Sequence, residues 1–479
     1  MNYKKAISLM LTLSMISATV ACSTAETDTT AETSGLTESV TATVSEATEE
    51  TADTVETTEI SQEETETSEE SEYSEVSVAS VSDYSDKVVI YSNNKSFEDL
   101  LDKYCGDIEI DYRYFGGDAD IYKSTIDAAI EEGDSEEEPD LIIMDGSMAS
   151  EYMNTLDVQS VNSLGITYDE LGDMFDYTLQ ASCSDEGVIM GISWQLCPSG
   201  IFYNRTLAET YLGVSEPEDV APYFESWEKV IETCGTVNAA SEGAVKVITG
   251  IDEIYGTYCM GRTQSWVLDG NLTIEPYMSD FYEYAKTLND GELTFNEPIW
   301  TTSWNDHIKN GDVMTFWGPL DVFNYHIVMN DIKASDKNWG LVASPTASFN
   351  NGQWMIIPKT CDMEASVAEI IRAITLNEDN LSEMAADGIF VNSKSVMESC
   401  ASDVSFCLDE LGGQNPLPVL LDTAMAIDYP ICIQRDDDID SEFLLSVDIY
   451  VNGDAETLED AYNQFEMYLI ENDYIEAED

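Results

Sequence analysis

Two short apolar, β-prone runs, 192–196 and 201–203, are separated by Pro198-Ser199-Gly200. Proline and glycine end regular structure, so the runs are two strands and not one. A chain that must leave one lobe and enter another needs a break of this kind. The same pattern also fits two neighbouring strands within a single domain. Asn204 follows the second run directly. Its side-chain oxygen suits an N-cap for a helix through Tyr211.

The stretch before this break alternates strands and helices. Residues 87–91 (KVVIY) form a compact apolar strand, and Asn94 or Ser96 can cap a helix ending near Tyr104. Residues 108–115 place Ile and Tyr on one side of a second strand. Residues 120–132 have a helical pattern, and 140–144 (DLIIM) make a third strand ending in Asp145-Gly146-Ser147. Such alternation indicates a parallel α/β sheet. Ligands of these sheets sit beyond the carboxyl ends of the strands, which singles out Asn93, Asn94, Asp145, Gly146 and Ser147. Each of these residues also suits a turn or a cap. From residue 87 onward the chain has roughly 390 residues, more than one ordinary core accommodates, so two lobes are expected.

Ahead of residue 87 the composition changes. Lys4 and Lys5 precede an apolar run, 6–18, too short to span a bilayer as a helix. Thr19-Val20-Ala21-Cys22 resembles a bacterial lipoprotein cleavage box, with Thr19 where Leu is usual. That resemblance implies a signal peptide over 1–21 and a lipid on Cys22, which becomes the first mature residue and anchors the protein to a membrane face. An ordinary secretory cut near Ala21 is the alternative. Residues 22–86 are rich in Ser, Thr and Glu, and nothing after Lys5 is basic until Lys87. Such a segment cannot bury enough apolar surface to offset its ordering entropy, and its like charges extend it. It reads as a disordered acidic tether, suited to a thick cell wall of the Gram-positive type.

The formal net charge is −76, and most of it lies beyond the tether. This field repels nucleic acid and polyphosphates. It is compatible with neutral ligands and attracts cations. With Cys22 set aside, nine of the ten cysteines remain, an odd number with irregular spacings. Neither a zinc ribbon nor a redox motif is supported. Cys400 and Cys407 form the best local pair for a disulfide. Histidine occurs only at 307 and 326, apart from any metal-type cluster. GxSxG, HExxH, the P-loop and the dinucleotide glycine fingerprint are all absent. Asp436, Asp438 and Asp440 begin like a calcium loop. Ser441 and Val447 stand where Gly and Glu are needed, so a solvated acidic loop is the better reading.

Aromatic residues are the positive signal. Eight tryptophans occur, and Trp194, Trp266, Trp317 and Trp354 lie beside glycine or at strand ends. A sugar presents flat C–H patches and a rim of hydroxyls, so its site wants an aromatic platform with a few placed polar groups. Cationic ligands such as polyamines use similar rings. Any single indole also fits a core. Arg435 stands in an acid-rich stretch, where it suits either a ligand hydrogen bond or carboxylate pairing.

Further elements follow in order: a helix near 223–234, a strand at 245–249, and a helix-rich stretch over 255–289. Residues 300–309 put Trp300 and Trp304 on one helix face. Residues 364–375 form an amphipathic helix, and 443–450 and 457–469 form the terminal ones.

Several motifs resemble, in order, those of extracellular solute-binding proteins that deliver sugars to ABC importers, the carbohydrate-binding family 1 typified by maltose-binding protein. Met190-Gly191-Ile192 followed by Phe202-Tyr203-Asn204-Arg205-Thr206-Leu207 resembles the first interdomain crossing. PDLIIMDG (139–146) resembles a strand whose end faces the ligand, and WVLDG (266–270) a loop bordering the cleft. GDVMTFWGP (311–319) resembles a further element, with Trp317 before Gly318-Pro319 instead of after. WGLVASP (339–345), GQWMIIP (352–358) and GIFVNS (388–393) resemble the later strands and crossings, the last without its usual proline.

The resemblance implies an α/β, two-lobed periplasmic-binding-protein-like fold of type II with a ligand cleft between lobes. The first lobe is expected over 87–196 and 350–394, the second over 197–349 and 395–479. Expected ligand residues are Asn93, Asn94, Asp145, Gly146, Trp194, Tyr203, Trp266, Trp317, Gly318, Trp354 and Arg435. The expected partners are a carbohydrate and membrane permease subunits. The protein is expected to be a monomer on the cell surface, without catalytic residues, cofactor or metal. The alternatives are an exported glycan-active enzyme and a binding protein for a cationic metabolite.

Overall fold

The computed structural model describes residues 87–116, 119–132, 138–153, 157–184, 187–268, 270–324, 338–350, 352–428, 436–472 and 474–475. Ten strands occur among them: β1 (Val88–Ser92), β2 (Ile110–Tyr114), β3 (Leu141–Asp145), β4 (Gly191–Gln195), β5 (Ser199–Asn204), β6 (Val267–Leu268), β7 (Asn271–Leu272), β8 (Thr315–Pro319), β9 (Trp339–Val342) and β10 (Gln353–Ile356). The first sheet has the order β2-β1-β3-β10-β4. β1 runs parallel to β2 and β3, whereas β10 is antiparallel to both β3 and β4. Val88 to Ser92 are all buried because helices cover both faces, as a parallel sheet requires.

The second sheet has the order β8-β5-β9 and is antiparallel throughout, unlike the first. The expected strand at 245–249 is reduced to a parallel bridge between Lys246 and Val313, extended by hydrogen bonds from Met314 N and Thr315 N to Lys246 O and Val247 O at 2.8 and 3.0 Å. Asn204 caps the helix Arg205–Leu212, its Oδ1 accepting from Thr206 N at 3.0 Å and Leu207 N at 3.1 Å.

Three segments join the lobes side by side. Gln195 bridges Val391, and Leu196 N donates to Phe390 O at 2.8 Å. Pro198 bridges Phe349, and Ser199 N donates to Ser348 O at 2.9 Å. One apolar core runs from the first sheet along these crossings to Phe202 and Trp339. A second fills the other lobe around Phe281, Tyr282 and Phe443, and a third covers the opposite face of the first sheet.

Three expectations are corrected here. Cys400 and Cys407 are both free, the first buried and the second exposed. Trp300 precedes the helix Thr302–Asn310 at a φ of +66°, so it meets Trp304, ring centroids 5.1 Å apart, from outside the helix. Asp436 to Asp440 open the helix Asp436–Val451 instead of a loop, and Asp440 is half-buried against Trp266. Among the described residues no helix is long and apolar enough to cross a membrane.

Candidate functional site

The carboxyl ends of β1 and β3 meet the start of β10 because β10 enters the sheet from the opposite direction. Asn93 and Asn94, Asp145, Gln353 and Gln195 are thereby gathered into one row. Asn93 Nδ2 donates to Asp145 Oδ2 at 3.0 Å, and Gln353 Nε2 donates to the other carboxylate oxygen. Asn94 Nδ2 donates to Gln353 Oε1 at 3.3 Å. Gln353 in turn pairs with Gln195 across β10 and β4. Gly352, at a φ of +71°, makes the turn into the row; a Cβ there would lie 2.8 Å from Gln195 O.

Burial raises the Asp145 carboxyl from 3.8 to about 6, with the Asn93 and Gln353 amides holding it partly down. Two buried side-chain oxygens of the row, Asn93 Oδ1 and Gln195 Oε1, have no hydrogen-bond partner. Buried polar atoms are usually satisfied, so two orphaned acceptors at the ends of these strands mark a place for an outside donor. A pocket at the crossing segments adjoins the row at Gln195, lined also by Cys197, Pro319, Asp321, Phe390 and Leu417. Cys197 Sγ lies 3.9 Å from Asp321 Oδ2. Burial, and then Asp321, push that thiol well above its usual range. Among the described residues no group of three or more His, Cys, Asp or Glu is arranged to hold a metal ion.

Of the expected ligand residues, Asn93, Asn94 and Asp145 lie together in this row, and Gly146 starts the helix Gly146–Met153 directly behind it. Trp194 packs in the crossing core, 5.2 Å from Phe97 between centroids, and Trp354 packs on the opposite face of the sheet. Tyr203 is in the second lobe's core, its hydroxyl donating to Ser215 O at 2.8 Å. Trp266 is 1% exposed, its Nε1 donating to Asp440 Oδ1 at 2.7 Å. Arg435 and Cys22 lie outside the described residues.

Trp317, on β8 before Gly318, stacks on Trp227 at 5.7 Å and 16°. Trp227 packs on Tyr258, and Tyr258 stacks on Tyr277 at 4.3 Å. Trp227 Nε1 donates to Thr346 Oγ1 at 3.0 Å, tying this aromatic column to the segment that leads into the second crossing. The row and the column also contain Gln195, Gln353, Trp227 and Tyr277, which the sequence does not single out. Nothing local distinguishes Trp227 or Tyr277 from core residues.

The fold has solved relatives. An extracellular solute-binding protein of family 1 matches with a TM-score of 0.69 at 15% identity, covering 81% of this chain and 99% of that one. The sugar-binding protein MalE from Xanthomonas citri matches at 0.65 and 13% identity, covering 80% and 96%. The galacto-N-biose/lacto-N-biose I-binding protein of an ABC transporter from Bifidobacterium longum, solved with lacto-N-biose, matches at 0.60 and 14%, covering 82% and 98%. At such identities the likeness is one of fold. No curated protein matches. Residues 95–404, well over half of the chain, match the family model of bacterial extracellular solute-binding proteins, and the chain belongs to that family.

Proposed function

We propose that this protein is the substrate-binding component of an ABC importer and that it captures a sugar or oligosaccharide between its lobes. The observation that carries this reading is the polar row Asn93–Asp145–Gln353–Gln195, with its two orphaned acceptors, at strand ends beside the pocket that Gln195 lines. Ligand hydroxyls supply the donors those acceptors lack. The relatives whose names mention sugars support the same direction.

The mechanism is hinge closure about the three crossing segments. A ligand touching both lobes stabilises the closed form over the open one by its differential affinity. The closed form then presents both lobes to a membrane permease. The first lobe comprises 87–196 with 350–394, the second 197–349 with 395–479. Trp317, with the column behind it, stands two residues from Pro319, which lines the pocket. The protein acts as a monomer and makes or breaks no bond. It is held at the outer face of the membrane by lipid on Cys22, with 22–86 as the tether.

A thermal-shift panel of mono- and oligosaccharides against polyamines and betaines tests this reading. The expected result is a melting-point rise with one or a few saccharides. A rise only with polyamines or betaines overturns the carbohydrate assignment. Product analysis after incubation with glycans tests capture without turnover, and a released product would refute it.

A further inference from the structure

The row at the gap is rich in acceptors and short of cations. Asp145 receives two side-chain amides, and neither is charged. The titratable groups around it are Tyr122 beneath the sheet and Cys197, beyond which stands Asp321. None of these supplies positive charge at neutral pH. Lys95, next to Asn94, is exposed, and no Lys or Arg lines the adjoining pocket. A carboxylate withdrawn from water without a cation is costly, and a matching cation offsets that cost.

The orientation of the amides sharpens this demand. Asn93 must turn its Nδ2 toward Asp145, because a carboxylate can only accept. Its Oδ1 is therefore an acceptor with no partner, 4% exposed at the residue level. Gln195 Oε1, on a residue 6% exposed, is in the same position at the other end of the row. All unmet demand is thus for donors. A hydroxyl donates once and brings lone pairs that need donors of their own. An ammonium donates three times and accepts nothing. Charge-assisted bonds to a carboxylate are also roughly twice as strong as neutral ones. The field of a chain with net charge −76 draws cations in.

We propose that the captured saccharide carries a free, protonated amine and that Asp145 receives it, with Asn93 Oδ1 on the neighbouring strand end as the flanking acceptor and Gln195 Oε1, two strands further along the row, left for a hydroxyl of the same saccharide. This rests on the reading of the chain as a carbohydrate-capturing protein and narrows its substrate class to amino sugars.

Calorimetric titration with glucose, glucosamine and N-acetylglucosamine, and with their β-1,4-linked dimers, tests it. The free-amine member of each set is expected to bind at least about tenfold tighter than its neutral counterpart at pH 7, equivalent to one charge-assisted contact. The N-acetyl form should behave as neutral. In the unaltered protein the preference should vanish as pH falls through about 6, where Asp145 takes up a proton. Asp145→Asn should abolish it at all pH values; the pH series needs no variant and stands if that one does not fold. Equal or tighter binding of the neutral sugars overturns the amine assignment and leaves sugar capture standing. No binding by any saccharide of the set, with binding of spermidine or betaine alone, overturns the carbohydrate reading itself.

Discussion

Asn94 donates its side-chain amide to Gln353 Oε1 at 3.3 Å, joining the end of the first strand to the start of the strand that returns from the second lobe. The contact spans most of the folded chain, and it completes the polar row proposed to receive the ligand. Residues brought together in this way respond to substitution at either end of the sequence.

Asp145 makes the row sensitive to pH. Burial puts its folded-state carboxyl at about 6, above the ordinary 3.8. The native state then binds the proton more tightly than the unfolded chain does. The stabilisation from that proton is complete below the unfolded value and is lost as pH rises through about 6. Asp145→Asn removes this titration. The difference in melting temperature, wild type minus variant, should therefore fall between about pH 4 and pH 6.5. A flat difference would show that the carboxyl titrates normally.

Gly352 turns the chain into β10 at a φ of +71°, where a Cβ would press on Gln195 O at 2.8 Å. Gly352→Ala should cost about 1–3 kcal/mol in urea unfolding from strain and overlap. Ligand affinity should fall with it, since the shift moves Gln353 and Gln195 apart. Unchanged affinity would place the site away from the row.

Trp266 separates a core indole from a cleft indole. Its Nε1 bond to Asp440 is shared with the Tyr255 hydroxyl, 3.0 Å from the same carboxylate, and Arg262 lies within 3.6 Å. Trp266→Phe removes one donor from a half-buried acid, a loss of about 1–2 kcal/mol by denaturant titration, with ligand affinity retained. Weaker binding at unchanged stability would instead make it a ligand platform.

The cysteines give a chemical check on the absence of the Cys400–Cys407 bond. Maleimide labelling with peptide mapping should modify Cys407 quickly in the native protein. Cys197 and Cys234, both buried with thiols pushed up by burial, should react only after unfolding. A peptide pair linked through 400 and 407 under non-reducing conditions would contradict the structure.

Lipid attachment at Cys22 has its own test. Cys22→Ala should release the protein from the membrane fraction into the medium, with no loss of saccharide binding by the soluble form. Retention on the membrane would mean another anchor.

Much of the first lobe could be read from the chain because its signals are local. KVVIY and DLIIM are continuous apolar runs, and their ends are polar, so strand-end reasoning reached Asn93, Asn94 and Asp145 directly. The helix over 364–375 was likewise plain from its period and matches Glu364–Thr375. The other half of the row was hidden. Gln353 and Gln195 become neighbours through an antiparallel insertion that no local pattern encodes. For the tryptophans, glycine neighbours and strand ends describe Trp194 and Trp354 correctly, but which face of a sheet a ring occupies is decided by distant partners. Asp440 looked solvated among acids and is instead held inside by Trp266 and Tyr255.

The sheet order β2-β1-β3-β10-β4 also sets the sequence of events in biogenesis. Until residues 353–356 are available, β3 is a raw sheet edge and β4 has no strand beside it. The amino-terminal part of the sheet therefore cannot lock before the intervening residues 196–352 have been made, and pairing at such separation is slow. For a polypeptide that works outside the cell, late closure keeps the chain threadable until most of it has passed through the export channel.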